Sequence, residues 1–274
     1  MYKELLLPVV CVLLFLIAGC AVNPVTGEEE LMFYPEHDDI TIGRKYAPEV
    51  EKQMKGRIAN HTLQSYIDTV GQKIARVCHR PDLEYHFVAL NHESLNALAL
   101  PGGYIFITRG MLQKLTTEAQ LAAILAHEVV HVVARDTSAA LSRMHAMNLL
   151  VAGLALGRTP GGAVRMAELT RIFLVLRYSR EDEKEADLNG LDYMVRAGYN
   201  PRGMVETMQI LQKENTARPI EFFSTHPSPR NRLEYITEKI QTNWFRLEGL
   251  TVGKDAYQNA IAQNLKDSKR KKAS

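Results

Sequence analysis

Residues 127–131 read His-Glu-Val-Val-His, side chains whose types and spacing can bind a metal ion and use it in hydrolysis. On a helix, side chains four positions apart lie on one face, so His127 and His131 can bind the same ion. Glu128 then lies one step round the helix, where it can act as a general base. This H-E-x-x-H pattern is typical of zinc hydrolases. The alternative is a pair of core histidines bonded to the backbone or to a buried water.

A third protein ligand is expected elsewhere in the chain, because catalytic zinc sites bind three protein side chains and keep one position open. Residues 179–187 read Ser-Arg-Glu-Asp-Glu-Lys-Glu-Ala-Asp, and Glu183 and Asp187 within them share a helix face. Glu183 could bind the metal, and Asp187 could accept a hydrogen bond from the free ring N–H of a ligating histidine. The alternative interpretation of this segment is a solvated run of charges.

Hydrophobic periodicity predicts the elements that would position these side chains. Thr117 fits a helix N-cap with Gln120 three residues on, so the active-site helix is predicted to run from 118 to about 135. Strands are predicted at 83–89, 96–100 and 104–108, with a turn at 101–103. Other helices are predicted at 37–55, 62–78, 137–156, 164–198, 202–215 and 229–243. The predicted fold class is α+β, mainly helical, with a small sheet beside the active-site helix.

The two motifs, with Glu183 placed 52 residues after His131, resemble the family of CAAX prenyl endopeptidases and HtpX-like heat-shock proteases. The similarity is greatest to the bacterial periplasmic and outer-membrane lipoprotein members. Residues 96–105, residues 23–27 and the His226-Pro227 pair with Arg232 also resemble this family. The resemblance covers roughly residues 23–240. It implies a zincin-like (gluzincin) metalloprotease domain with one zinc ion on His127, His131 and Glu183.

The resemblance also suggests roles for other residues. His226 and Arg232 are the expected donors to the oxyanion, with Tyr178 a weaker candidate. A substrate would bind as an added strand through main-chain hydrogen bonds, which requires an extended or unfolded chain. The residues predicted to bind it are Asn96, Ala97, Leu98 and Ala99. His226 could instead bind the zinc as a fourth ligand until substrate arrives; a histidine with no zinc role is the alternative.

The N-terminus reads as a targeting segment. Residues 5–18 are apolar but too short to span a bilayer comfortably, which is typical of a signal peptide. They lead into Ala18-Gly19-Cys20, which resembles a bacterial lipobox and predicts lipidation of Cys20. Residue 21 is Ala rather than Asp, which implies the outer membrane, facing the periplasm, in a Gram-negative host. An ordinary signal peptide or an N-terminal membrane helix is the alternative.

Composition and charge predict one catalytic domain. The chain has 274 residues and is 46% hydrophobic, which suits a single core. The net charge of +2 comes from a basic tail, so the nearly neutral body argues against nucleic-acid binding. The apolar runs at 146–156 and 172–176 are shorter than a membrane span. The predicted parts are a signal peptide (1–19), a tether from acylated Cys20 (20–36), the metalloprotease domain (37–245), and a C-terminal extension with a basic, disordered tail (246–274).

These features predict a zinc-dependent endopeptidase that hydrolyses unfolded or misassembled cell-envelope proteins. Its expected partners are those substrates, the membrane through the lipid on Cys20, and an outer-membrane assembly machinery. The first alternative is an envelope chaperone that keeps the protease fold with little proteolysis; intact Glu128 speaks against it. A structural zinc protein is disfavoured because such sites usually use four ligands, often cysteines, and the chain has three cysteines in all.

Overall fold

The computed structural model describes residues 20–154, 166–229, 231–244 and 246–270. The strands are β1 (Cys20–Val22), β2 (Glu29–Leu31), β3 (His86–Leu90), β4 (Ala97–Leu100) and β5 (Tyr104–Thr108). The helices are α1 (Glu36–Gln53), α2 (His61–Ala75), α3 (Arg109–Leu112), α4 (Glu118–Ala134), α5 (Asp136–Leu154), α6 (Met166–Val175), α7 (Arg180–Arg196), α8 (Arg202–Ala217), α9 (Phe222–Thr225), α10 (Arg232–Asn243) and α11 (Lys254–Arg270). These elements confirm the predicted α+β, mainly helical class.

Helix α4 runs through the core and carries residues 127–131. All its residues from Glu118 to Ala134 are buried. The Thr117 hydroxyl accepts a hydrogen bond from the Gln120 N–H, which confirms the predicted N-cap. The helix packs against α2, α7, α8 and β4. Because α4 is surrounded on all sides, it fixes the direction of every side chain that it carries.

The three-stranded sheet beside α4 has the order β3-β5-β4. β3 is parallel to β5, whereas β4 is antiparallel to it, with Leu98 opposite Phe106. The turn at Pro101–Gly103, predicted from the sequence, joins β4 to β5. β4 is therefore an edge strand of this sheet and lies directly against the active-site helix.

The prediction of one long helix over 164–198 is wrong. The structure has two helices, α6 and α7, with a break at residues 176–179. The Ser179 hydroxyl accepts a hydrogen bond from the Asp182 N–H at 3.0 Å, and the Asp182 carboxylate accepts one from the Ser179 N–H at 2.8 Å. This capping box starts a new helix because the side chains satisfy backbone groups that a continuous helix would use. The predicted loop at 157–162 lies outside the described residues.

Both ends of the described chain contribute structure. β1 and β2 pair as an antiparallel hairpin within the segment predicted to be a tether. In the C-terminal extension, α11 packs on α2 and α4 and buries Tyr257, Ile261 and Leu265. The four-residue spacing of these side chains places them on one helix face. The predicted signal peptide (1–19) and the last tail residues (271–274) lie outside the described residues. Among the described residues, no helix is both long and apolar enough to cross a membrane.

A close approach between α1 and the turn before β5 generates a stability prediction. A Cβ on Gly43 would lie 2.0 Å from the Pro101 carbonyl oxygen and 2.7 Å from the Tyr104 ring. Replacing glycine by alanine inside a helix ordinarily stabilises it by about 1 kcal/mol. We expect Gly43→Ala instead to lower the free energy of unfolding by about 2 kcal/mol, because the backbone must move apart. Urea unfolding measures this, with Arg44→Ala at the next, exposed position as the control. Unchanged or higher stability of Gly43→Ala would contradict the contact.

Candidate metal centre and active site

Four side chains, His127, His131, Glu183 and His226, converge in the core. Each offers one ligand atom, and these atoms all lie within 4.8 Å of one another. The Nε2 atoms of His127 and His131 are 3.1 Å apart, and Nδ1 of His226 is 2.8 Å from Oε1 of Glu183. Ligands at about 2.0–2.2 Å from a tetrahedral zinc ion lie about 3.3–3.6 Å from each other. The spacing and donor types of the cluster therefore fit one zinc ion.

Buried carboxylates hold the outer ring nitrogens of the two helix histidines. His127 donates from Nδ1 to Asp187 at 3.1 Å, and His131 donates from Nδ1 to Asp136 at 2.6 Å. Each contact fixes the ring so that Nε2 faces the other ligands. The structure places Asp187 where the sequence predicted it. Asp136 was missed, because the predicted helix ended one residue earlier and nothing in the sequence shows that the chain turns back toward His131.

Helix α10 supplies a second ring of contacts. The Arg232 guanidinium donates to Asp187 at 2.7 Å, and its Nη1 lies 3.2 Å from Oε2 of Glu183. The Tyr235 hydroxyl, which sequence reasoning also missed, donates to the other oxygen of Asp187. Arg232 is only 1% exposed, so this charge is neutralised inside the protein. These contacts favour a role for Arg232 in holding the carboxylates, on the Nδ1 side of His127.

The charges of the cluster suit a cation. Burial alone would raise the pKa of Glu183, but the imidazoles of His226, His127 and His131 hold it well below its usual range. Burial likewise acts to raise the pKa of Asp187, but the charges and hydrogen bonds of Arg232 and His127 together lower it below its usual value. Burial lowers the pKa of His127. Ionised carboxylates and a neutral imidazole are the forms that bind metal ions.

His131 and Asp136 form a strongly coupled pair. Burial acts to lower the pKa of His131, but the hydrogen bonds and charges of Asp136 and Glu183 together raise it well above its usual range. Burial raises the pKa of Asp136 to about 6, although His131 acts in the opposite direction. The hydrogen bond holds Nδ1 of His131 against Asp136, which keeps that nitrogen from turning toward the metal cluster.

Glu128 points into the same space without a bonding partner. Both of its carboxylate oxygens are buried and accept no hydrogen bond from the part of the chain that the structure describes. The nearest cationic candidate is Nε2 of His226, 3.5 Å from Oε1, and this nitrogen also makes no hydrogen bond there. A buried carboxylate without partners is costly to fold. It is the arrangement expected of a base that acts on a reacting water.

Two aromatic rings and a short segment enclose the cluster. Tyr178 stacks on His131 with ring centroids 3.9 Å apart, and Phe222 stacks on His226 at 4.5 Å. The Tyr178 hydroxyl bonds to Thr137 at 3.1 Å, rather than facing the ligand atoms. The predicted ligands are at most 1% exposed. The segment that carries Phe222 and His226 therefore covers the centre, and its movement would open the cluster to a polypeptide.

The edge strand β4 runs beside this segment. The Asn96 carbonyl accepts a hydrogen bond from Thr108 at 3.1 Å, so alternation along the strand directs the backbone groups of Ala97 and Ala99 away from β5. Phe222 donates from its N–H to the Leu95 carbonyl at 3.1 Å. Segment 221–226 thus covers one end of the strand that was predicted to bind substrate, and the side-chain oxygen of Asn96 is buried there without a partner among the described residues.

The Asp136 contact generates a prediction about metal affinity. Asp136→Asn keeps the shape of the side chain but removes the negative charge that orients His131. We expect zinc affinity to fall about 10- to 100-fold, the usual effect of losing such a partner. Competition with a fluorescent chelator measures the affinity, and circular dichroism checks the fold. Asp68→Asn, which changes a carboxylate on α2 far along the chain from the cluster, is the matched control. Equal zinc affinity of Asp136→Asn and the control would contradict the role of Asp136.

Comparisons with known proteins agree with this site. Residues 61–240, more than half of the chain, match the model of peptidase family M48. The chain is 28% identical over 201 residues to the β-barrel assembly-enhancing protease of Escherichia coli K12, covering 66% of this chain and 40% of that protein. It is 32% identical over 181 residues to the mitochondrial metalloendopeptidase OMA1 of Schizosaccharomyces pombe, covering 65% of this chain and 53% of that protein.

A longer match is to OMA1 of Saccharomyces cerevisiae, 30% identical over 234 residues, which covers 78% of this chain and 67% of that protein. The chain spans about half or less of the length of the first relatives. The matched family region contains the whole metal cluster and its carboxylate and guanidinium partners. The predicted resemblance and the zincin-like fold are thereby confirmed, and the chain belongs to peptidase family M48.

Proposed function

We propose that this chain is a zinc-dependent endopeptidase. The observation that carries the proposal is the unpartnered carboxylate of Glu128 beside the buried His127, His131 and Glu183 cluster. A structural zinc site has no use for such a base, and its four ligands are often cysteines. The two cysteines in the described residues, Cys20 and Cys78, lie outside the cluster.

The side chains divide the chemistry of peptide-bond hydrolysis between them. His127, His131 and Glu183 would hold the zinc ion, which when bound would lower the pKa of water and polarise the scissile carbonyl. Glu128 takes the proton from the attacking water and delivers it to the leaving amine nitrogen. Nε2 of His226 lies 3.5 Å from the Glu128 carboxylate and is the nearest candidate donor to the oxyanion. Arg232, bound to Asp187 and Glu183, keeps the ligands in place.

The proposed substrates are unfolded or misassembled polypeptides of the cell envelope. The backbone groups of Ala97 and Ala99 that face away from β5 support binding of an extended chain as an added strand, with Asn96 and Leu98 in the same stretch. The Ala99 carbonyl accepts a hydrogen bond from the Thr137 hydroxyl at 3.3 Å, which the added strand would displace. The name of the Escherichia coli relative ties that protein to β-barrel assembly. We propose that an outer-membrane assembly machinery is the partner of this chain. We also propose that a lipid on Cys20, which is exposed at the start of β1, anchors the domain to the outer membrane so that the domain faces the periplasm.

We further propose that His226 keeps the enzyme closed at rest. Its Nδ1 lies 3.3 Å from Nε2 of His127 and 2.8 Å from Glu183, which is within the ligand spacing of the cluster. A fourth protein ligand would fill the position that water needs for catalysis. The same segment bonds to the end of β4 through Phe222 and Leu95, so withdrawal of His226 would also free the substrate strand. Substrate binding and opening of the centre are thereby one movement.

Glu128→Gln tests the proposed chemistry. We expect proteolysis of unfolded casein to fall about 100- to 10,000-fold, because the amide cannot take a proton. Zinc content, measured on the same samples, stays at the wild-type value because Glu128 is not a ligand. Glu181→Gln, an exposed carboxylate at the start of α7, is the matched control. The contrary outcome is that the wild-type protein and Glu128→Gln both hold zinc, that neither cleaves casein, and that both prevent its aggregation equally. The chain would then be a chaperone rather than an enzyme.

His226→Ala tests the closed state. If closed molecules outnumber open ones about ten to one, removal of the His226 side chain raises basal casein cleavage about tenfold. Initial rates at saturating zinc measure the effect. His92→Ala is the control, because the His92 side chain bonds only to Ser94 among the described residues. Unchanged or lower activity of His226→Ala would contradict closure. Lower activity would instead favour a role for His226 in stabilising the oxyanion.

A further inference from the structure

The segment that follows Cys20 is fastened to the catalytic domain. The Asn23 amide donates to Glu30 at 2.7 Å and to Glu185 at 3.4 Å. Farther on, the Phe33 N–H donates to the Ser142 hydroxyl at 2.9 Å. These bonds join the N-terminal residues to α7 and α5. The segment also buries Met32, which is 6% exposed, so it packs as part of the fold.

The turn at residues 23–27 is shaped around Asn23. Its side-chain oxygen accepts hydrogen bonds from the N–H groups of Val25 and Thr26, at 2.8 and 3.4 Å. Gly27 has a φ of +76° and donates to the Asn23 carbonyl at 2.8 Å. A side chain of this kind fixes a tight turn. The amide nitrogen of Asn23, which is 2% exposed, is then free to bridge Glu30 and Glu185.

The elements reached by this segment are those that build the metal centre. Glu185 lies on α7 between Glu183 and Asp187. The Tyr34 carbonyl accepts a hydrogen bond from Arg135 at 2.6 Å, and Arg135 directly precedes Asp136. Residues 20–34 therefore contact the backbone neighbours of one metal ligand and of both carboxylates that orient the histidines. The matched family region begins only at residue 61, so it assigns nothing to this segment.

These contacts set a distance. Asn23 is the third residue after Cys20, and three residue steps reach at most about 11 Å. A free tether of residues 21–36 could instead extend about 50 Å or more. Since Asn23 is bonded to α7, Cys20 lies within about 11 Å of this attachment point on the catalytic domain rather than up to about 50 Å from it.

We propose that residues 20–34 form a mount that holds the metal centre at a short, fixed distance from the lipid surface to which Cys20 is anchored. The substrates are then polypeptides that lie at that surface, and chains farther from it are out of reach. This inference rests on the proposed lipid anchor and the proposed endopeptidase activity. A flexible tether would give the opposite behaviour, because it would let the domain sample a wide range of heights.

The test uses the full lipidated protein in phospholipid vesicles. Two reporters carry the same cleavable peptide on a lipid, through a short or a long rigid linker, and a third reporter is free in solution. A 20-residue Gly-Ser spacer, with Ala as its first residue, is inserted directly after Cys20; its r.m.s. length is about 25 Å. We expect the ratio of short-linker to long-linker cleavage to fall about threefold or more in the spacer protein. Cleavage of the free reporter stays unchanged.

A point variant tests the mount without lengthening the chain. Asn23→Asp keeps the oxygen that shapes the turn, but it removes the amide donor and places a third carboxylate beside Glu30 and Glu185. We expect faster hydrogen exchange at residues 20–31 and the same fall in the cleavage ratio. Thr26→Ala is the matched control, because Thr26 lies in the same turn and its hydroxyl accepts only from Glu28 among the described contacts.

The outcomes separate the mount from the proposals beneath it. An unchanged cleavage ratio in the spacer protein, with acylation of Cys20 confirmed by mass and normal cleavage of the free reporter, overturns the mount. Free exchange of residues 20–31 in the wild-type protein also overturns it, whatever the activity. A further outcome is that residues 20–31 are protected from exchange in the wild-type protein and lose that protection in Asn23→Asp, while neither protein cleaves any reporter. That result supports the fastening of the segment and contradicts the proposed endopeptidase activity. Absence of acyl chains on Cys20 overturns the membrane role.

Discussion

The structure depends on placing ionisable side chains in the core and leaving none of the ligands in contact with bulk water. Glu183 and Asp187 are fully buried, and Arg232 is buried beside them. Taking such charges out of water is unfavourable unless opposite charges and hydrogen bonds compensate. Here one guanidinium contacts both carboxylates at 2.7 and 3.2 Å, and imidazoles complete the set. Removing one member leaves another charge buried and unpaired, so the cluster forms or fails as a unit.

The arrangement of the helices follows from this requirement. α4 supplies the histidines, α7 supplies the carboxylates, and α10 supplies the guanidinium. At the end of α4, Arg135 takes a left-handed backbone conformation with φ of 64°. Its side chain binds Asp39 at 2.6 Å and so ties the end of α4 to α1. That turn in the backbone is what brings Asp136 back against His131, since a continuing helix would carry residue 136 away from it.

Local sequence signals were sufficient for part of this structure. The Thr117 cap, the apolar periodicity and the 127–131 spacing predicted α4 within a residue of its observed ends. The class of fold and the convergence of Glu183 with the histidines followed from the paired motifs. The break before Ser179 was missed, although Ser179 and Asp182 have the spacing of a capping box, because no glycine or proline interrupts residues 164–189. The role of Asp136, the contact of Tyr235 with Asp187 and the packing of α11 depend on long-range contacts that periodicity does not report.

The order in which the site residues occur along the chain has a consequence for folding. The histidines belong to residues 127–131, whereas Arg232 and Tyr235 stand about a hundred positions later and are the last to be made. A chain that ends before α10 has two carboxylates in the core without their guanidinium. Such a chain lacks Arg232 and Tyr235, the side chains that hold Glu183 and Asp187 in place. Assembly of the metal centre therefore waits for α10, about a hundred residues after the two histidines of α4.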